Sequence, residues 1–163
     1  MKKFLILLIS FFTILSASAE EFTLNAGVSI NEIPKTFYGS WRVSAKLDNT
    51  NSYGTFKPAS TDFWTLSREG DKITLSNPFS GATANISIRS VEGNLIVFSK
   101  KSPYDNKVLT DTVTLRLSES SFSGINDLTL ESFSLVDNHL MKSEHAKYII
   151  KGEKISGENI LGK

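Results

Sequence analysis

The chain has 163 residues, of which 40% are hydrophobic and 21% charged, and it contains no cysteine. A chain of this length can bury one substantial core, and without cysteine it must hold that core together with no disulfide. Its 18 basic residues are nearly balanced by 17 acidic ones. Because binding to nucleic acid or to an acidic membrane surface depends on clustered lysine and arginine, no nucleic-acid partner is expected.

The first 19 residues have the three parts of a secretory signal peptide. Lys2 and Lys3 precede an apolar run over residues 4–15, and the small residues Ala17-Ser18-Ala19 follow it. This pattern predicts cleavage after Ala19 and export, to a periplasm or to the outside of the cell. The alternative is a retained membrane anchor, but a run of this length falls short of the roughly 20 apolar residues that span a bilayer. With no other apolar run of that length, no transmembrane segment is expected after cleavage.

Residues 20–35 form a lead-in segment, which is either extended or a short helical turn that plugs one end of the following domain. From residue 36 the apolar side chains recur with a period of two. The first such set predicts a long strand with one face in the core and comprises Phe37, Gly39, Trp41, Val43, Ala45 and Leu47.

Further strands are predicted in chain order at residues 63–67, 73–76, 84–88, 95–99, 109–117, 122–126, 128–136 and 140–151. Turn-forming residues such as Glu92-Gly93-Asn94 separate them. The spacing is short, and no amphipathic helical stretch is present to cover a sheet face. We therefore predict an all-β fold over residues 36–163, a single antiparallel up-and-down barrel of about 8–10 strands. A β-sandwich is the competing all-β architecture.

The tripeptide Gly39-Ser40-Trp41 on the first strand resembles the signature of the lipocalin and calycin barrels. The resemblance implies that Trp41 packs across the closed end of the barrel, beneath a basic residue from near the last strand. Lys147 or Lys151 would fill that role here. The nearest match to the second family motif, a Thr-Asp followed by an aromatic residue, is Thr110-Asp111-Thr112, which lacks the aromatic residue.

A barrel of this kind encloses room for core side chains or for one small ligand. The candidate ligand-binding residues are Phe63, Trp64, Phe98, Asp111, Phe133 and Tyr148. Asp111 belongs to this set because it is in phase with Leu109, Val113 and Leu115. The alternatives are that the aromatic residues fill a closed core, and that Asp111 faces solvent or caps a turn.

No catalytic pattern is present in the sequence, and neither a cofactor nor a metal ion is expected. His139 and His145 would lie about 20 Å apart on one strand, too far to share a metal. The chain has no cysteine nucleophile, no Gly-x-Ser-x-Gly elbow and no phosphate-binding loop. We therefore expect a non-enzymatic, secreted barrel that binds a small hydrophobic molecule. The alternative is a filled barrel that acts through its surface as a protein-interaction or envelope module.

Overall fold

The computed structural model describes residues 28–157 and the backbone of residues 159–161. The predicted signal peptide, residues 1–19, lies outside the described residues, as does the lead-in segment up to residue 27. In the described part, two short 3-10 helices (Ile30–Glu32 and Lys35–Phe37) precede the strands β1 (Gly39–Thr50), β2 (Ala59–Glu69), β3 (Lys72–Ser76), β4 (Thr83–Asn85), β5 (Ser87–Glu92), β6 (Leu95–Tyr104), β7 (Lys107–Leu117), β8 (Ser121–Phe133), β9 (Leu140–Ser156) and β10 (Asn159–Leu161).

The strands form one sheet that closes nearly completely into a barrel. Its order is β4-β3-β2-β1-β9-β8-β7-β6-β5, and every pair along this path is antiparallel. The two outermost strands, β4 and β5, are successive parts of one extended segment interrupted only at Ile86. The backbone N–H of Ile86 donates to the carbonyl of Ile73, 3.0 Å away, so the same segment joins both ends of the sheet. The predicted all-β, up-and-down barrel is confirmed.

The alternation of apolar and polar residues along β1 determines which side chains face the interior of the barrel. Trp41 and Val43 are buried and Arg42 and Ser44 are exposed, as the period of two predicts. Residues 122–126 and 128–136, predicted as two strands, instead belong to the single strand β8 and the turn after it. The strand continues because Asp127 takes an outward position, where a carboxylate remains hydrated.

The N-terminal residues of the described chain close one end of the barrel. Ile30, Ile33 and Phe37 are buried in the hydrophobic core. Within the described part of the predicted lead-in, the short 3-10 helix Ile30–Glu32 corresponds to the helical alternative. Ser29 and Glu32 form a capping box on the first 3-10 helix. We call this side of the barrel the closed end, and the opposite side, which carries the loops at residues 51–58, 77–82, 105–106 and 134–139, the open end.

Gly39 is required by the way the chain crosses itself at the closed end. Its φ of +125° is one that other residues rarely adopt, and an added Cβ would collide with the carbonyl oxygens of Ser156 and Gly157. Beyond this crossing, β10 pairs in parallel with the end of β2. Only glycine at this position leaves room for the backbone of Ser156 and Gly157 to lie against the start of β1.

Candidate functional site

A layer of aromatic rings fills the closed half of the barrel. Trp41 is fully buried, its ring centroid lies 5.1 Å from that of Phe122, and Trp64 stacks on the same Phe122 ring at 5.9 Å. Phe98 packs edge-on against Trp64 at 6.4 Å and against Phe37 at 5.8 Å. We call these five residues the aromatic layer. It separates the closed end from the space above it.

Trp41 is anchored by two polar contacts as well as by packing. Its indole N–H donates to the carbonyl of Phe37 at 3.1 Å. The ammonium of Lys154 lies 5.0 Å from the centre of the indole ring and donates to the carbonyl of Thr36 at 2.8 Å. The cation over the ring is thus Lys154, and the expectation of Lys147 or Lys151 is wrong. Both expected lysines have odd numbers, and on this part of β9 the odd-numbered side chains point outward.

Two cavities lie between the aromatic layer and the open end. The first has a volume of about 280 Å³ and the second about 320 Å³. They adjoin, because four residues line both of them: Asp62, Trp64, Asn126 and Leu128. The first cavity extends towards Lys100 and Asp111, and the second towards Phe56 and Tyr148. Trp64 therefore forms the floor of an interior space whose walls are part apolar and part polar.

Three of the six predicted ligand-binding residues line these cavities: Trp64, Asp111 and Tyr148. Phe98 lies below them in the aromatic layer, where it is fully buried. Phe63 and Phe133 line neither cavity. Phe63 is adjacent to Trp64 on β2 and so faces outward, where its ring contacts the exposed Phe79 at 4.7 Å; Phe133 is the last residue of β8, at the edge of the open end.

Asp111 is buried, which excludes the alternative that it faces solvent. It is 3% exposed and forms an ion pair with Lys100, while Asn126 Nδ2 lies 3.4 Å from its Oδ1. A buried carboxylate needs such partners, because its desolvation is otherwise costly. The positions of Asp111 and Lys100 are directly opposite in the β6–β7 pairing, so the register of these two strands produces the pair.

Sequence reasoning missed Asp62. Its Oδ1 accepts hydrogen bonds from the backbone N–H of Phe63 at 2.8 Å and from Asn77 Nδ2, and its Oδ2 accepts one from the indole N–H of Trp64 at 3.1 Å. Asp62 is in phase with Trp64 and Leu66, both of them buried. That phase was the available signal for an inward carboxylate on β2.

The loop between β1 and β2 covers part of the open end and is tied down from inside. Phe56 is 8% exposed and lines the second cavity. The hydroxyl of Tyr148 donates to the carbonyl of Lys57 at 2.9 Å, and burial raises the pKa of this phenol. The loop thus packs against the cavity wall and forms part of it.

Glu144 on β9 holds the same loop through its carboxylate. Its Oε1 accepts hydrogen bonds from the hydroxyls of Ser52 and of Thr55, the latter at 2.7 Å, and pairs with the ammonium of Lys142 at 2.8 Å. Hydrogen bonding to Lys142, then to Ser52 and Thr55, lowers the pKa of Glu144 from its ordinary 4.5 to about 2. The ionised carboxylate is therefore the form that fastens the loop.

We expect acid to release this loop over a defined pH range. Because the pKa of Glu144 is depressed in the folded protein, its stabilising effect is complete above pH 4.5 and is lost as the pH falls through about 2. An NMR titration of the Ser52 and Thr55 amides should show a midpoint near 2, and Glu144→Gln should abolish it. A midpoint near 4.5 would show that the loop is not held by this carboxylate.

The open end also carries most of the exposed apolar surface. Nine large hydrophobic side chains are exposed among the described residues, and seven belong to the loops and strand ends of the open end. We call these seven the apolar rim: Tyr53, Phe79, Tyr104, Leu135, Val136, Leu140 and Met141. Val136 is the most exposed, at 95%. Large exposed apolar patches are typical of contact surfaces, and these seven side chains share one end of the barrel.

Comparisons with protein-family models, with curated proteins and with solved structures find no match to this chain. Within the described residues, no helix is long and apolar enough to cross a bilayer. In the same part of the chain, no three histidine or acidic side chains are grouped so as to hold a metal ion. The function must therefore be argued from the interior and the open end of the barrel.

Proposed function

We propose that the protein is a lipocalin-like barrel that binds one small, largely apolar molecule in its interior, outside the cytoplasm and without catalysing a reaction. The observation that carries the proposal is the pair of adjoining cavities of about 280 and 320 Å³ above the aromatic layer. Ligand sites are typically concave, mostly apolar spaces of this size with a few polar groups in the wall. The open end supplies the route by which a ligand would enter.

The closed end supports the lipocalin-like part of the proposal. Gly39 and Trp41 occupy the positions that the family signature implies, and Lys154 supplies the cation over the indole ring. A rigid closed end keeps the cavity floor in place without using the residues of the open end.

The test is native mass spectrometry of the mature protein, followed by titration with the neutral fluorescent probe N-phenyl-1-naphthylamine. We expect a small-molecule mass that disappears on denaturation, or saturable binding of the probe. Leu128 lines both cavities, so Leu128→Trp should fill the space and weaken probe binding about tenfold or more. Thr129→Trp is the matched control, because the neighbouring side chain points outward and its replacement should leave binding unchanged.

Equal binding by the wild type and the Leu128→Trp variant would place the probe outside the barrel and overturn the proposal. A well-folded wild type that binds neither a carried molecule nor the probe would overturn it as well.

If interior binding fails in this way, the second candidate, a barrel acting as an interaction or envelope module, would take its place. The observation in favour of that candidate is the apolar rim. Its association with a partner should then depend on Leu135 and Val136, which are 86% and 95% exposed.

A further inference from the structure

Two carboxylates and two lysines line the two cavities, and their arrangement leaves one negative charge uncompensated in the polar wall. Asp111 and Lys100 line the first cavity and form an ion pair, with side chains 4% and 19% exposed. Their charges therefore cancel within the wall. Lys57 borders the second cavity from the loop, but it is an exposed residue, so water and salt screen its ammonium.

Asp62 is the charge that remains. It lines both cavities, and all three of its hydrogen-bond donors are neutral: the amide of Phe63, the indole of Trp64 and the amide of Asn77. Because none of these donors carries a charge, they do not cancel the negative charge of Asp62. None of the ion pairs between described residues includes Asp62.

A second acceptor in the same wall is also unused. Asn126 donates from Nδ2 towards Asp111, and its Oδ1 is buried with no hydrogen-bond partner. A buried acceptor without a partner costs free energy that a donor on a ligand would recover. Asn126 lines both cavities, as Asp62 does, and the indole ring of Trp64 borders the same space. A cation is attracted to such a ring face.

We infer that the ligand is a small amine with an apolar body, its ammonium group recognised by Asp62 and Asn126 at the junction of the two cavities. This inference rests on the proposed interior binding and names its ligand class. The ammonium supplies both the positive charge that Asp62 lacks and the donor that Asn126 Oδ1 lacks. A carboxylate ligand would be repelled by Asp62, and the ammonium of Lys100 in the same wall is already paired with Asp111.

Three probes with the same indole ring and two-carbon linker separate the charge from the apolar body: tryptamine, tryptophol and indole-3-propanoate. We expect calorimetry at pH 7 to show tryptamine binding about tenfold more tightly than tryptophol, because charge-assisted hydrogen bonds are about twice as strong as neutral ones. Indole-3-propanoate should bind most weakly. Tighter binding of the carboxylate, or equal binding of the alcohol and the amine, would overturn the inference and leave interior binding standing.

Variants assign the preference to a residue. Asp62→Asn should weaken tryptamine binding about tenfold while tryptophol binding stays within about threefold, since only the amine loses a charge-assisted contact. Asp48→Asn is the matched control: it removes the same charge from an exposed position on β1 and should change neither affinity. An unchanged preference in Asp62→Asn would overturn the assignment.

The outcomes also separate this inference from the proposed function. If N-phenyl-1-naphthylamine binds and none of the three indole probes does, the amine is wrong and the cavity is a site for neutral ligands. If neither the neutral probe nor any indole probe binds to well-folded protein, interior binding itself fails, and the amine with it.

Discussion

Replacement of Trp41 by alanine is expected to lower the free energy of unfolding by about 3–5 kcal/mol, the range for a large aromatic residue removed from a core. Trp41 is fully buried, packs against Phe122 at 5.1 Å, donates to the carbonyl of Phe37 and lies beneath Lys154. The substitution removes the ring and both polar contacts together. Urea denaturation should show the loss as a lower midpoint with an unchanged slope.

One further variant isolates the contribution of the cation, and a second serves as a control. Lys154→Met keeps much of the side-chain packing and removes the cation over the ring, so a smaller loss of about 0.5–2 kcal/mol is expected. Tyr53→Ala, at a position 76% exposed on the open end, should change stability by less than about 0.5 kcal/mol. A loss below about 1 kcal/mol in Trp41→Ala would mean that the closed end does not depend on this residue.

The Lys100→Met variant is expected to lose about 3–5 kcal/mol of stability at pH 7, because it leaves Asp111 buried without its cation. The side chain of Asp111 is 4% exposed, and its remaining side-chain partner is Asn126, at 3.4 Å. One long donor cannot replace an ammonium in contact with the carboxylate. The cost therefore comes from the unpaired charge, since methionine fills a volume similar to that of the lysine stem.

The double variant Lys100→Met/Asp111→Leu tests that explanation. Replacing both members of a buried ion pair with apolar residues is often neutral or stabilising, so the double variant should recover most of the stability that Lys100→Met loses. The measurement is the free energy of unfolding of all four proteins in a double-mutant cycle. Equal losses in the single and double variants would show that Lys100 acts by packing and not by charge.

The sequence predicted the barrel well because the evidence for it is local and repeated. The alternation that buries Trp41 and Val43 and exposes Arg42 and Ser44 is visible along β1 without knowledge of any partner strand. The turn predicted at Glu92-Gly93-Asn94 is equally local, and in the structure Gly93 adopts a positive φ of 62° that glycine accepts without strain. Period and turn chemistry together determine the architecture.

The interior site was harder to predict, and the errors have a common cause. Phe63 and Phe133 were chosen for being aromatic, although Phe63 is out of phase with the buried Trp64 beside it. Asp62 lies just before the predicted strand at residues 63–67 and is not among the predicted residues, although it is in phase with Trp64. On β9, Tyr148 and Ile150 face inward, and Lys154 lies on the same face because it follows them at even spacing. In each case, position in the period was a better guide than residue type.

What the sequence could not supply was the pairing across strands. The ion pair of Asp111 with Lys100 follows from the β6–β7 register. The hold of Glu144 on Ser52 and Thr55 depends on contacts between β9 and the first loop. Neither contact has a local signal, because the residues concerned meet only when the barrel closes.

The pairing of β1 with β9 determines when the protein can fold. Trp41 pairs with Lys154, although most of the domain's sequence lies between these two residues. The same strand, β9, also pairs with β8. Hairpins between consecutive strands can form early, but the barrel cannot close until β9 is available to join β1. Such distant pairing slows folding and prolongs the exposure of apolar faces. The cavity therefore cannot form until the final long strand has joined the first.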